Sequence, residues 1–252
     1  MKSPTLVKGI RNFIVRFLLE KAHLRVQRVC PNPGWPEHKD RSTYQERHVN
    51  FRFDQQERVL DIGSGNHPLP YATVLLDKFT GVTVHRSESL RKDDRPLIVA
   101  DVCNLPFKDK VFDFVYCSHL LEHVDDPVQA SKEIIRIGRR GYIETPTFGK
   151  DTLFAWAQEM HKWHVVGISN VLCFFEYSAR QLEGVRSSAW TNVILDGWYH
   201  PLQEAFYNNQ DIFNVMFEWE GQFTVLAFYL DGSTRQSNAP EADHLERLYS
   251  KT

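Results

Sequence analysis

The sequence predicts an α/β fold, a doubly wound and mostly parallel sheet that ends in a C-terminal antiparallel β-hairpin. Three observations predict it. Short apolar runs alternate with helical patterns, the layout of a parallel sheet covered by helices. The run Val59-Leu60-Asp61-Ile62 enters a glycine turn, Gly63-Ser64-Gly65-Asn66. Two later apolar runs end on acids, Asp77 after residues 74–76 and Asp101 after residues 97–100. Glycines and acids at the carboxyl ends of such strands stand where an open α/β sheet binds its ligand.

The elements follow in order. Residues 1–28 hold seven basic side chains against Glu20 alone, with Leu6, Ile10, Phe13, Ile14, Phe17 and Leu18 at helical spacing. This predicts a leading helix packed on the domain or over its cleft. A second reading is a basic amphipathic helix making a peripheral contact with an anionic membrane. Pro31, Pro33, Gly34 and Pro36 punctuate a linker, so residues 1–50 form an N-terminal segment. Strands are expected at 59–62, 74–77, 97–101 and 111–117. Asp126-Pro127 reads as an N-cap and first helical residue, opening a helix that carries Val128, Ile134, Ile135 and Ile137 up to Gly138. A fifth strand at 141–145 is closed by Pro146, which completes a ligand-binding core over residues 51–147. Residues 148–209 are rich in aromatics and histidines and read as an insertion that builds a substrate pocket, or as rings that cover the sheet. Within 210–231, runs at 213–219 and 223–230 joined through Glu220-Gly221-Gln222 read as a hairpin completing the sheet. Residues 232–252 read as a polar tail.

Composition sets limits on partners. The 252 residues are 42% hydrophobic and 25% charged, enough for a folded soluble core. A net charge of -2 gives no reason to expect a nucleic-acid partner. Cys30, Cys103, Cys117 and Cys173 are scattered and read as reduced thiols, which suits a cytoplasmic protein. No apolar stretch is long enough to span a bilayer, and Lys8, Arg11 and Arg16 interrupt what a secretory segment would need.

The ligand is legible in outline. Gly63 and Gly65 allow a sharp turn and close backbone approach, and Ser64 and Asn66 add polar groups. Asp77 stands where an acid accepts from both ribose hydroxyls, and Asp101 where an acid accepts from an adenine amino group. The run departs from the dinucleotide fingerprint. It has no third glycine, and Pro68 and Pro70 occupy the place of the first helix. A pyrophosphate would lose the helix N-terminus it needs. A nucleoside without phosphate, such as S-adenosyl-L-methionine, tolerates that loss.

The residues 59–66, Asp77, Ala100-Asp101-Val102-Cys103-Asn104-Leu105-Pro106-Phe107, Phe112-Asp113-Phe114-Val115 and Ser118-His119-Leu120-Leu121-Glu122-His123-Val124, in this order, resemble a class I S-adenosylmethionine-dependent methyltransferase of the type 11, small-molecule branch. The resemblance covers roughly residues 57–147. It implies a seven-stranded Rossmann-like sheet with an antiparallel last strand, and S-adenosyl-L-methionine as cofactor. It further implies that Asp61 and Gly63, Ser64, Gly65 and Asn66 hold the methionine end, that Asp77 holds the ribose, that Asp101 and Val102 flank the adenine, and that Ser118 and His119 face the methyl-bearing centre. The acceptor would be a small molecule, a sugar or a lipid-linked compound. An oxygen acceptor would gain from a histidine base, and His119 and His161 are the preferred catalytic residues or substrate contacts. His123 reads as a structural hydrogen bond within its own turn.

Two rival readings use the same residues. A protein of this fold can bind a nucleoside without turning it over. The run His119-Leu120-Leu121-Glu122-His123 is also literally H-x-x-E-H, a zinc-hydrolase motif when the histidines share one helical face. Asp126-Pro127 starts a new helix too soon for that, so no metal ligand is expected.

Overall fold

The computed structural model describes residues 30–31, 44–83, 90, 93–154, 160–186, 198–199 and 209–237. The leading helix, most of the linker, and Trp156, Trp190 and His200 of the aromatic segment lie outside the described residues. Among the described residues, no helix is long and apolar enough to cross a membrane.

The strands are β1 (Cys30–Pro31), β2 (Val59–Ile62), β3 (Val74–Asp77), β4 (Leu97–Val99), β5 (Phe112–Ser118), β6 (Gly138–Pro146), β7 (Trp163–Ile168), β8 (Val171–Glu176), β9 (Trp198–Tyr199), β10 (Asn214–Glu220), β11 (Thr224–Phe228) and β12 (Thr234–Gln236). The helices are α1 (Pro127–Ile137), α2 (Phe148–Phe154), α3 (Ala179–Arg186) and α4 (Gln210–Phe213).

One sheet runs β10-β6-β5-β2-β3-β4, parallel except for β10. The chain leaves β2 toward β3 and β4 on one side and returns to β5 and β6 on the other, so the order reverses between β2 and β5. Side chains of successive residues face opposite ways. Leu60, Ile62, Val115, Cys117 and Ile143 enter one buried cluster under α1, and Val59, Phe114, Tyr116 and Tyr142 enter another with Phe51 and Leu69.

Asp126 caps α1 as its sequence position predicts, its carboxylate accepting from Gln129 N at 2.9 Å. Gly138 does not turn the chain aside. It is extended and opens β6 directly, which lengthens the expected fifth strand. Gly141 is required by close packing: a Cβ there would stand 2.3 Å from Val115 O and 2.9 Å from the Trp219 ring.

Two expectations for the C-terminus are corrected. Among the described residues the sheet has six strands rather than seven, and the predicted hairpin is not one. β10 pairs with β6, whereas β11 pairs in parallel with β8 and antiparallel with β12. Packing explains the split. Phe223 sits over the face of β10, 5.2 Å from the Phe217 ring and 5.4 Å from Trp219, so β11 rises over that face instead of lying beside its edge. β11 therefore joins a second sheet, β12-β11-β8-β7, whose residues Trp163, Val165, Leu172, Phe174, Val225 and Ala227 share the α1 cluster. The start of the expected polar tail supplies β12.

Candidate functional site

A cavity of about 590 Å³ opens at the carboxyl ends of β2, β3 and β5, at the reversal of strand order. Such a reversal is where open α/β sheets bind ligands. Its walls include Gly63, Ser64, Gly65, Asn66, Asp77, Asp101, Val102, Ser118 and His119, all singled out by the sequence. Between β2 and β3 the described backbone forms turns and no helix, as the prolines imply.

The glycine turn is held by backbone and by Asp77. Gly63 and Gly65 have φ of 74° and 55°, the left-handed region that glycine enters without strain. Gly63 N and Ser64 N donate to Leu76 O at 2.8 and 3.1 Å. Asp77 accepts from Gly65 N at 3.1 Å and from Phe79 N at 2.9 Å, tying the turn to the end of β3. Asp77 also lines the cavity. Asp101 accepts from Cys103 N at 2.9 Å and from Lys78 Nζ at 2.7 Å. The Lys78 hydrogen bond holds the Asp101 carboxyl below its ordinary range. Nothing in the sequence distinguished Lys78, because its role depends on β3 and the loop after β4 lying side by side. Asp61 stands apart from the cavity walls. It is buried, and its Oδ2 accepts from Leu69 N at 2.7 Å, on the face of β2 away from α1.

Two features suit a cationic nucleoside. Ser64 Oγ and Ser118 Oγ are buried with no hydrogen-bond partner among the described residues, and both residues line the cavity. Orphaned buried hydroxyls cost about 1–3 kcal/mol each, a cost a bound ligand removes. The walls also carry Asp77, Asp101, Asp125 and Asp126 against Lys78 and Lys162, an acidic balance that opposes a pyrophosphate.

Behind Ser118 the chain enters a buried charge cluster. His119 takes φ 54°, a conformation uncommon outside glycine, and its N donates to Glu144 O at 2.8 Å. Its ring is clamped: Nδ1 lies 3.3 Å from Glu122 Oε1, and Nε2 lies 3.1 Å from Glu144 Oε1. Glu144 also accepts from Gln45 Nε2 at 2.8 Å and from the hydroxyls of Tyr44 and Tyr142. Burial raises the Glu122 carboxyl, but the His119 hydrogen bond and the charges of His123, His119 and His161 outweigh it and hold it low. Lys150 Nζ sits 3.5 Å from His119 Nε2 and donates to Asn214 Oδ1 at 2.6 Å.

The H-x-x-E-H run is a turn and not a helix, closed by His123 N donating to Leu120 O at 3.0 Å. The shared helical face that the zinc-hydrolase reading of His119, Glu122 and His123 needs is absent. The His123 ring reaches beyond its own turn. Its Nδ1 is 2.9 Å from Met160 O, the ring nitrogen to carbonyl geometry of an N–H donor. The His161 ring packs edge-on against His123 at 4.7 Å, one layer behind the cavity wall, and His161 Nδ1 makes a 2.9 Å ion-pair contact with Asp151 Oδ1. Lys162 N and Trp163 Nε1 bind Glu122 O and Val124 O, both at 2.7 Å, so the second sheet fixes this turn. His164 lies elsewhere, its ring 5.4 Å from Phe148 and 5.7 Å from Phe175.

Sheet order, glycine turn and cavity together define a Rossmann-like methyltransferase fold. Residues 60–143, a third of the chain, match a family described as a methyltransferase domain, Methyltransf_11. A demethylmenaquinone methyltransferase of Renibacterium salmoninarum is 33% identical over 104 residues, which cover 37% of this chain and 44% of that protein. The match thus spans less than half the length of that curated relative. Among solved structures, the PH0226 protein of Pyrococcus horikoshii OT3 is 18% identical with a TM-score of 0.37, covering 60% of this chain and 81% of its own. A SAM dependent methyltransferase of Aquifex aeolicus is 13% identical with a TM-score of 0.30, covering 44% and 65%. These structural likenesses are too distant to bear on individual residues.

Proposed function

We propose that this chain is an S-adenosyl-L-methionine-dependent methyltransferase that acts on a small-molecule, sugar or lipid-linked acceptor by in-line methyl transfer. The observation that carries the reading is the acidic cavity at the strand-order reversal, with the orphaned Ser64 and Ser118 hydroxyls in its wall. When bound, the cofactor supplies a methyl group on a sulfonium, electrophilic enough that no protein nucleophile is needed.

In this reading the chain's own residues bind and orient. The Gly63–Asn66 backbone and the two serine hydroxyls take the amino-acid end. Asp77 takes the ribose, Asp101 and Val102 flank the base, and Leu76 adds an apolar wall. His119 faces the acceptor. Its clamped ring gives the acceptor a fixed wall to pack against, and in-line positioning at about 3 Å supplies much of the acceleration. A cytoplasmic, non-nucleic-acid setting fits the near-neutral charge. The similarity to the Renibacterium salmoninarum demethylmenaquinone methyltransferase supports a lipid-linked acceptor, and the basic residues within 1–28 support a membrane-near one.

Isothermal titration of the purified chain with S-adenosylmethionine and S-adenosylhomocysteine tests the cofactor. Stoichiometric heat from either supports the reading, and no heat from both overturns it. Binding without methyl transfer to any acceptor of these classes would favour a non-catalytic nucleoside-binding protein.

A further inference from the structure

We infer that Glu122, His123 and His161 form a binding site for a divalent transition-metal ion of the zinc class, set behind the wall of the cofactor cavity. One potential ligand atom from each residue lies within 4.8 Å of the other two. Ligands about 2.1 Å from a common ion stand roughly 3.4–4.2 Å apart, so the widest pair must close by roughly 1.4 Å to reach tetrahedral spacing. Two imidazoles and one carboxylate suit zinc and its neighbours rather than magnesium or calcium, which take oxygen ligands.

Three further observations point to a ligand here. Glu122 is wholly buried, and its Oε2 has no hydrogen-bond partner among the described residues. Each histidine also turns its Nδ1 toward an oxygen, the arrangement that orients imidazole ligands in metal sites. His123 Nδ1 is held by Met160 O at 2.9 Å, with Nε2 3.8 Å from Glu122 Oε1. His161 Nδ1 is 2.9 Å from Asp151 Oδ1, and Asp151 is fixed by Tyr177 Oη, which donates to it at 2.8 Å. The third observation is charge. Glu122, Glu144 and Asp151 are buried carboxylates around one buried ammonium, Lys150. With the imidazoles of His119, His123 and His161 neutral, two negative charges remain, and buried charge must be compensated. A divalent ion does this without protonating the imidazoles.

The ligands come from two places in the chain. Glu122 and His123 belong to the turn after β5, and His161 precedes the first strand of the second sheet. A bound ion would clamp the two sheets together and leave a fourth position for water. The site does not depend on the methyl-transfer reading, and its test uses no cofactor.

The experiment is titration of the chelator-treated full chain with zinc chloride, and separately with cobalt(II) chloride, following stoichiometry, thermal midpoint and the visible cobalt spectrum. The expected result is one ion per chain, a raised midpoint, and cobalt bands of nitrogen and oxygen ligation. His123→Asn and His161→Asn should each weaken binding by about 100-fold or more, and His164→Asn should not. The absence of stoichiometric zinc binding overturns the inference. So does a zinc response that survives the double variant His123→Asn/His161→Asn. If those variants do not fold, the wild-type cobalt spectrum decides: a thiolate-to-cobalt band places the ion on cysteine and overturns the site. An equal rise in midpoint with magnesium chloride would overturn the transition-metal assignment.

Discussion

The two sheets of this chain follow different rules of patterning. In the six-stranded sheet, β2 is buried at every position and β5 and β6 are buried at nearly all, because helix and loop cover both faces. In the four-stranded sheet, burial alternates. Leu172 and Phe174 of β8 are wholly buried, while the neighbouring Phe175 is partly exposed and stacks on Phe228 at 4.9 Å. The first sheet presents the glycine turn, Asp77 and Ser118 at one edge. The second presents no ligand edge to the cavity, and instead fixes the Glu122 turn from behind and delivers His161 to it. One sheet carries the site and the other braces it.

If the braced arrangement is one unit, the largest loss should come from the brace. Phe174 packs edge-on against Trp163 at 6.3 Å inside the cluster shared by both sheets. Phe174→Ala should cost about 3–5 kcal/mol in urea denaturation, and the transition should stay single. Two separated transitions would show that the sheets are independent.

The site-bearing sheet should respond to acid. Burial raises the Glu144 carboxyl, but the hydrogen bond and charge of His119, the charge of Lys150 and the Tyr142 hydroxyl outweigh it and hold it at about 2, against an ordinary 4.5. A depressed carboxyl adds stability that is complete above about pH 4.5 and is lost as pH falls toward 2. Glu144→Gln should therefore destabilise the chain by about 2–3 kcal/mol at pH 7 and by progressively less below pH 4. A difference that does not shrink with acid would remove Glu144 from the charge network.

Asp77→Ala should weaken S-adenosylhomocysteine binding by about 1–3 kcal/mol in calorimetry, and an unchanged affinity would remove Asp77 from the ribose site. The smallest effect belongs to the outer face of the second sheet. Ile168 is 52% exposed, so Ile168→Ser should change stability by less than about 0.5 kcal/mol. A larger loss would mean that something covers that face.

Legibility followed the same divide. Strands β2 and β3 fall where their apolar runs place them, and the Asp126 cap and Pro127 start α1 as read, because each signal is local. The hairpin expected across Gly221 is a misreading of another kind. Glycine at the turn was present, with φ 71°, but pairing partners are chosen by packing. Phe223 covers Phe217 and Trp219, and β8 supplies the ladder. Strands β7 and β8 were not read from the sequence, because the density of aromatics in residues 148–209 hides their alternation around the Ser169-Asn170 turn.

By itself the sequence determined the glycine turn, the acids at strand ends, the absence of a first helix and thus a ligand edge fit for a nucleoside without pyrophosphate. These follow from backbone freedom, proline and short apolar runs, which act over a few residues. Only the tertiary structure decided that Asp61 accepts from Leu69 N, that Lys78 takes Asp101, and that His161 meets His123 across 38 positions of chain. Those contacts depend on which buried faces pack together, and no local pattern encodes a partner that distant.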